Sequence, residues 1–156
     1  MKKLLLVPAI LFSLVITAIT QAPQAALAGG IGNNNIGPSV TFGGGSTAFG
    51  IDGKIGVADN ISIRPFIAFP SGGSSYGASL TYDWDLRQSS LPITPFIGLG
   101  AEFQSVNQTT ETTGFAQVGA DLNVSDNVAL LGAIAVPFSN SNGNSTSFTL
   151  GAALRF

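Results

Sequence analysis

The charged side chains in the strand-like segments of this sequence are the residues best placed to do chemistry. Seven of them share one face of those segments, and four are acids while three are bases. Charges that line a pore can select ions, whereas charges that pair with one another can fill and close it. We expect a plug of internal ion pairs, and a selectivity filter is the alternative. The seven are Asp52, Lys54, Arg64, Asp83, Glu102, Asp121 and Arg155.

The sequence offers little for catalysis. It contains no His and no Cys, so Ser–His and Cys–His dyads and the usual zinc ligands cannot be built. Asp83 and Asp85 flank Trp84 on one segment and do not face each other across a cleft, as paired catalytic carboxylates do. The Asp–Asn pairs at 59–60 and 126–127 are typical of turns. We therefore predict no catalysis, no metal and no cofactor.

Composition and the first residues limit the partners and the compartment. Only 9% of the 156 residues are charged and the net charge is −2, which excludes the basic surface that nucleic acid requires.

Lys2 and Lys3 precede 16 mostly apolar residues, and Ala26-Leu27-Ala28 follows, as in a secretory signal peptide. Residues 1–28 are thus predicted to be a cleaved signal, 29–35 a short lead-in and 36–156 the folded domain, with a net charge of −4.

The elements that must position these charges are eight segments in which apolar and polar residues alternate. Alternation with a period of two predicts β-strands that have two different faces. One face carries the seven charges together with Gly, Ser, Thr and Gln, and the other face carries no charge. Eight membrane-spanning strands of about 9–11 residues fit the domain length, and sixteen do not. The segments are 36–44, 47–57, 61–69, 76–84, 93–103, 115–124, 128–138 and 147–156.

The arrangement of turns and aromatic residues indicates that the apolar face points outward. Tight connections at 58–60 and 125–127, with a moderate one at 85–92 between them, alternate with connections rich in Gly, Ser, Asn and Thr at 43–46, 70–75, 104–113 and 139–146. Outer-membrane barrels have short periplasmic turns, longer outer loops and girdles of aromatic residues at both interfaces. The predicted girdle comprises Phe42, Phe49, Phe69, Tyr76, Tyr82, Trp84, Phe103, Phe138 and Phe148. A soluble secreted barrel that binds an apolar ligand inside is the opposite arrangement and stays open as an alternative.

The last eight residues resemble the terminal signal of the small bacterial outer-membrane β-barrels of the OmpA/OmpX type. That signal consists of a polar residue, Gly, an apolar residue and a terminal aromatic residue at fixed spacing, which Thr149, Gly151, Leu154 and Phe156 match. Pro65-Phe66-Ile67-Ala68 and Pro95-Phe96-Ile97-Gly98 also resemble strand starts of the family. The resemblance implies that the outer-membrane assembly machinery reads the last strand, and that the mature protein resides in the outer membrane.

Together these observations predict an all-β protein, an eight-stranded antiparallel up-and-down transmembrane barrel. We expect a monomer surrounded by outer-membrane lipid, with a structural or surface-interaction role. A narrow porin-like channel for small solutes or ions is the alternative within the same fold. Pro65, Pro95 and Pro137 cannot donate to a sheet ladder and are expected near strand ends or bulges.

Overall fold

The computed structural model describes residues 34–43, 45–84, 86, 92–106, 109–138 and 145–156. The predicted signal peptide (1–28) and most of the predicted lead-in lie outside the described residues. No helix in the described part of the chain is long and apolar enough to cross a membrane.

Eight antiparallel strands close into a barrel in which each strand pairs with its neighbours in sequence and β1 pairs with β8. This confirms the predicted fold class. The strands are β1 (Asn35–Gly43), β2 (Ser46–Ala58), β3 (Ile61–Phe69), β4 (Gly73–Asp83), β5 (Ile93–Val106), β6 (Thr109–Ser125), β7 (Val128–Pro137) and β8 (Ser147–Arg155).

The barrel is polar inside and apolar outside. Twenty-five large hydrophobic side chains of the described residues are exposed, whereas only five hydrophobic residues are buried beside eleven polar or charged ones. Leu99, for example, is 62% exposed, and Asp83 is 0% exposed. Side chains alternate between the two faces of a strand. The positions of the charged residues in the sequence therefore indicate which face of each strand lines the lumen.

The two ends of the barrel differ less in connection length than the sequence suggests. The turn end holds connections 59–60, 84–92 and 126–127 with both ends of the described chain, and the loop end holds 44–45, 70–72, 107–108 and 138–146. The prediction of a long loop at 104–113 was wrong, since the β5–β6 ladder continues through Gln104↔Glu111 to Val106↔Thr109. Thr and Val favour strands, and the polar composition there marks where the apolar belt ends and not where the sheet ends.

Two prolines, Pro38 and Pro65, coincide with interruptions of a strand ladder. Pro137 ends β7 and Pro95 lies near the start of β5, as expected, but Pro65 stands in the middle of β3. Register partners between β2 and β3 are missing next to Pro65, and those between β1 and β8 are missing next to Pro38. A proline has no N–H to donate, so the sheet accepts each of these residues by leaving one ladder locally unpaired.

Candidate functional site

Four of the seven predicted lumen charges meet inside the barrel, near its turn end. Lys54 comes from β2, Arg64 from β3, Asp83 from β4 and Asp121 from β6. Strands β2 and β6 stand four places apart in a ring of eight, so the cluster joins opposite walls of the lumen. We call these four residues the ion cluster.

The ion cluster is a closed set of salt bridges. Lys54 Nζ lies 2.9 Å from Asp83 Oδ2 and 3.0 Å from Asp121 Oδ2. Arg64 donates in a bidentate manner to Asp121, from Nη1 at 3.0 Å and from Nη2 at 2.8 Å, and Nη2 also lies 3.3 Å from Asp83 Oδ1. Two cations thus face two carboxylates at charge-assisted distances, and the cluster is neutral overall.

Hydroxyl groups complete the coordination of Asp83. Ser62 Oγ donates to Asp83 Oδ2 at 2.6 Å, and Thr81 Oγ1 lies 3.1 Å from Asp83 Oδ1 while it accepts from Arg64 Nε at 3.3 Å. Among the described residues, no buried side-chain nitrogen or oxygen lacks a hydrogen-bond partner. The side chains of the ion cluster are at most 8% exposed. A buried ionic group is tolerable only when it is paired and hydrogen-bonded in this way.

Three phenylalanines also point into the lumen, which sequence reasoning missed. Arg64 lies over the Phe96 ring, with Cζ 3.6 Å from the ring centroid, and Phe96 is fully buried. Phe66 and Phe115 contact each other edge to face with centroids 6.0 Å apart. The spacing of these residues in the sequence could have predicted this. Phe66 is two residues from Arg64 and Phe96 is two residues from Thr94, and residues two apart on a strand share a face.

Each of these rings lies over a glycine on the neighbouring strand. The register partners are Phe66↔Gly77, Phe96↔Gly119 and Phe115↔Gly100. A Cβ atom added to Gly119 would lie 2.5 Å from Phe96 Cζ, and one added to Gly77 would lie 2.8 Å from Phe66 Cζ. The glycines therefore provide the space that lets large rings fill a narrow lumen.

The lumen contains a cavity of about 290 Å3 that lies mostly above the ion cluster, towards the loop end, and reaches Asn35, the register partner of Lys54. Arg64 and Phe96 line its lower part, and Ser46 and Ser145 line it at the loop end. Asp52 and Glu102, two further predicted lumen charges, also line the cavity. Neither carboxylate forms a salt bridge with any described residue.

The remaining predicted residues occupy the rims and the last strand. Arg155 donates from Nη1 to the Ser125 carbonyl oxygen at 3.0 Å, away from the ion cluster at the turn end. In β8, Thr149 Oγ1 and Thr41 Oγ1 of β1 are 2.8 Å apart, and Gly151 pairs with Ser39 of β1. Leu154 and Phe156 are 65% and 63% exposed on the outer surface.

The predicted girdle residues form two rings on the outer surface. Tyr76 and Phe103 stack with centroids 5.5 Å apart, and Tyr82 and Trp84 meet edge to face at 5.3 Å. The loop-end ring holds Phe42, Phe49, Phe69, Tyr76, Phe103, Phe138 and Phe148, and the turn-end ring holds Tyr82 and Trp84, which Phe156 joins at the same end. The described residues contain no group of three or more acidic, His or Cys side chains arranged to hold a metal ion.

Comparison with known proteins supports the fold. No protein-family model and no curated protein matches the chain. Among solved structures, the N-terminal β-barrel domain of Pseudomonas aeruginosa OprF aligns with a TM-score of 0.66 at 11% identity, over 80% of this chain and 97% of that one. A de novo designed transmembrane β-barrel aligns at 0.61 and 14% identity, over 81% and 98%. The Yersinia pestis outer membrane protein Ail in a phospholipid nanodisc aligns at 0.55 and 10% identity, over 81% and 100%.

Proposed function

We propose that this chain is an integral outer-membrane β-barrel with a structural or surface-interaction role and no catalytic activity. The observation that carries the proposal is the inverted distribution of side chains. A belt of Ile, Leu, Val and Phe covers the outside, while charged residues are buried in the lumen. Contact between this apolar belt and water would be unfavourable, whereas the hydrocarbon core of a bilayer is as apolar as the belt. The barrel folds of OprF, Ail and the designed transmembrane protein support the same environment.

The proposed orientation places the turn end in the periplasm. Both ends of the described chain lie at this end, while the longest strands, β5 and β6, extend past the aromatic ring at the loop end. Outer-membrane barrels project further on the outer side. The exposed Phe156 beside the turn end is then available to the assembly machinery as part of the terminal signal.

The ion cluster is proposed to make the barrel rigid and closed. Its salt bridges connect β2 and β3 to β6 across the lumen, so relative movement of the two walls would separate charges that are shielded from water. Phe96 packs against the same arginine. An eight-stranded barrel is only wide enough for side chains to fill, and at this level they occupy the space that an ion pathway would need. We therefore favour the plug over the channel.

Two measurements test this proposal. The mature protein is refolded in detergent and run on a gel boiled and unboiled, and we expect a heat-dependent shift from a closed, detergent-resistant barrel. A single unshifted band from protein that remains soluble without detergent would contradict the membrane assignment. In planar bilayers we expect no stable openings. Openings whose conductance changes on Arg64→Ala or Glu102→Ala would show that the lumen conducts, and the closed-lumen proposal would then be wrong.

A further inference from the structure

We propose that the cavity above the ion cluster binds a small organic cation, such as a primary ammonium ion attached to an apolar or aromatic body. This inference rests on the proposed function in one respect, namely that the ion cluster closes the lumen below the cavity. It goes beyond the structural role because it assigns a ligand. It rests on the charges of the cavity, on its aromatic rings and on an apolar strip of its lining.

The charge distribution along the barrel axis favours a cation. Every described basic residue lies in the turn-end half, where Lys54 and Arg64 are already paired and Arg155 contacts a carbonyl oxygen. The sequence contains no Lys or Arg between Arg87 and Arg155. The loop-end half instead carries Glu102, and Asp52 lies just above the ion cluster. Arg64 also lines the cavity, but its charge is balanced within the ion cluster, so the remaining charge of the lining is negative and attracts cations.

Two further aromatic rings line the cavity, and they contact each other edge to face. Phe96 already has the Arg64 guanidinium over its face, which shows that this lumen builds such contacts. Phe66 and Phe115 also line the cavity, and among the described residues no basic side chain lies over either ring. The face of an aromatic ring attracts an ammonium group, most strongly where water is excluded.

Phe66 and Phe115 each have a carboxylate near them on the adjacent strand. Asp52 and Phe66 are direct register partners. Glu102 follows Gly100, the register partner of Phe115, by two residues and points into the same lumen. A carboxylate next to a ring face gives an ammonium ion both a counter-charge and a cation–π contact.

Strand β7, which stands opposite β3 and next to β6 in the barrel, fits the apolar part of such a ligand. Strand β7 contributes Leu131, Ala133 and Ala135 to the cavity lining. Gln117 and Ser79, which hydrogen-bond to each other, supply neutral polar groups near the rings. A volume of about 290 Å3 lies at the lower end of ligand-binding cavities, so the ligand is a small molecule and neither a peptide nor a lipid.

The first test compares three probes that share a phenyl ring and differ in charge. Calorimetric titration uses 2-phenylethylammonium, the neutral 2-phenylethanol and the anionic 3-phenylpropionate, each against barrel refolded in zwitterionic detergent and against empty micelles. We expect saturable binding of the ammonium ion, about tenfold tighter than the neutral probe, and no binding of the anion. Equal affinity for the neutral probe, or no saturation by the ammonium ion, would overturn the proposal without any variant being needed.

Variants then locate the site. Asp52→Asn and Glu102→Gln are each expected to weaken binding of the ammonium probe about tenfold. Glu111→Gln is the matched control, because it removes the same charge from the loop-end half at an exposed position outside the cavity lining. If Glu111→Gln weakened binding as much as Glu102→Gln, general surface electrostatics would explain the result and the site would be rejected. Only protein that shows the heat-dependent gel shift is titrated, so a failure here is distinct from a failure of the membrane proposal.

Discussion

Replacing Asp121 by Asn tests the ion cluster most directly. Its carboxylate accepts from Arg64 Nη1 at 3.0 Å, from Arg64 Nη2 at 2.8 Å and from Lys54 Nζ at 3.0 Å. The side chain is only 5% exposed, so water cannot take the place of the lost charge. The substitution preserves the shape of the side chain but leaves two buried cations facing the single carboxylate of Asp83.

The expected cost follows from that imbalance. Leaving one buried charge uncompensated costs about 3–5 kcal/mol, and the free energy of unfolding should fall by this amount. The assay is a urea titration of barrel refolded into lipid vesicles, with the heat-shifted band as the measure of folded protein. Asp126→Asn is the matched control, since Asp126 is exposed in the β6–β7 turn and should change stability by no more than about 0.5 kcal/mol.

A second substitution shows whether charge is the cause. Adding Lys54→Met to Asp121→Asn leaves Arg64 paired with Asp83, whose nearest atoms are 3.3 Å apart, and restores neutrality. Replacing buried ionic groups with apolar ones of similar size is close to neutral for stability, so the double variant should recover most of the loss. If the single variant unfolded at the wild-type urea concentration, or the double variant were no more stable than the single, our reasoning about the cluster would be refuted.

Three further predictions concern the outer surface, the last strand and the lumen glycines. Leu150→Arg, at a half-exposed position in the middle of β8, should lower the free energy of unfolding in vesicles by about 2–4 kcal/mol, and an unchanged urea midpoint would contradict a lipid-facing position. Deleting Phe156 should impair outer-membrane assembly and leave export intact, which fractionation followed by the gel-shift assay measures; normal assembly would refute the terminal signal. Gly119→Ala should cost about 1–3 kcal/mol because its Cβ would overlap the Gly132 carbonyl oxygen of β7 and the Phe96 ring. Gly132→Ala, whose Cβ would meet only Leu150 Cδ2 at 3.9 Å, should change stability by less than about 0.5 kcal/mol.

The strands and their two faces could be predicted from the sequence because both are local properties. A period of two is visible within each segment, and Asp52, Lys54 and Arg64 all identify the lumen face of their strands. The extension of β5 beyond residue 103, and of β6 back to residue 109, could not be predicted in the same way. There the apolar alternation stops at Phe103, although the ladder continues in a polar, Thr-rich hairpin.

The contents of the lumen depend on register, which is not local. Asp121 meets Arg64 across 57 positions of the sequence, and no local pattern indicates that pairing. Phe66 and Phe96 stand on the same parity as the charges, but an isolated apolar residue on a polar face is ordinary in any strand. Only the register shows that each ring lies against a glycine on the neighbouring strand.

The connection between opposite walls also bears on the order of folding. Lys54, Arg64 and Asp83 belong to three successive strands, so a chain that has formed only β2 to β4 lacks the carboxylate that Arg64 binds in a bidentate manner. Asp121 supplies this missing partner only when β6 takes its place. An incomplete barrel in a bilayer is therefore destabilised electrostatically as well as by its unpaired edges. Such long-range contacts form late, and the cluster thereby favours a cooperative closing step over a populated half-barrel intermediate.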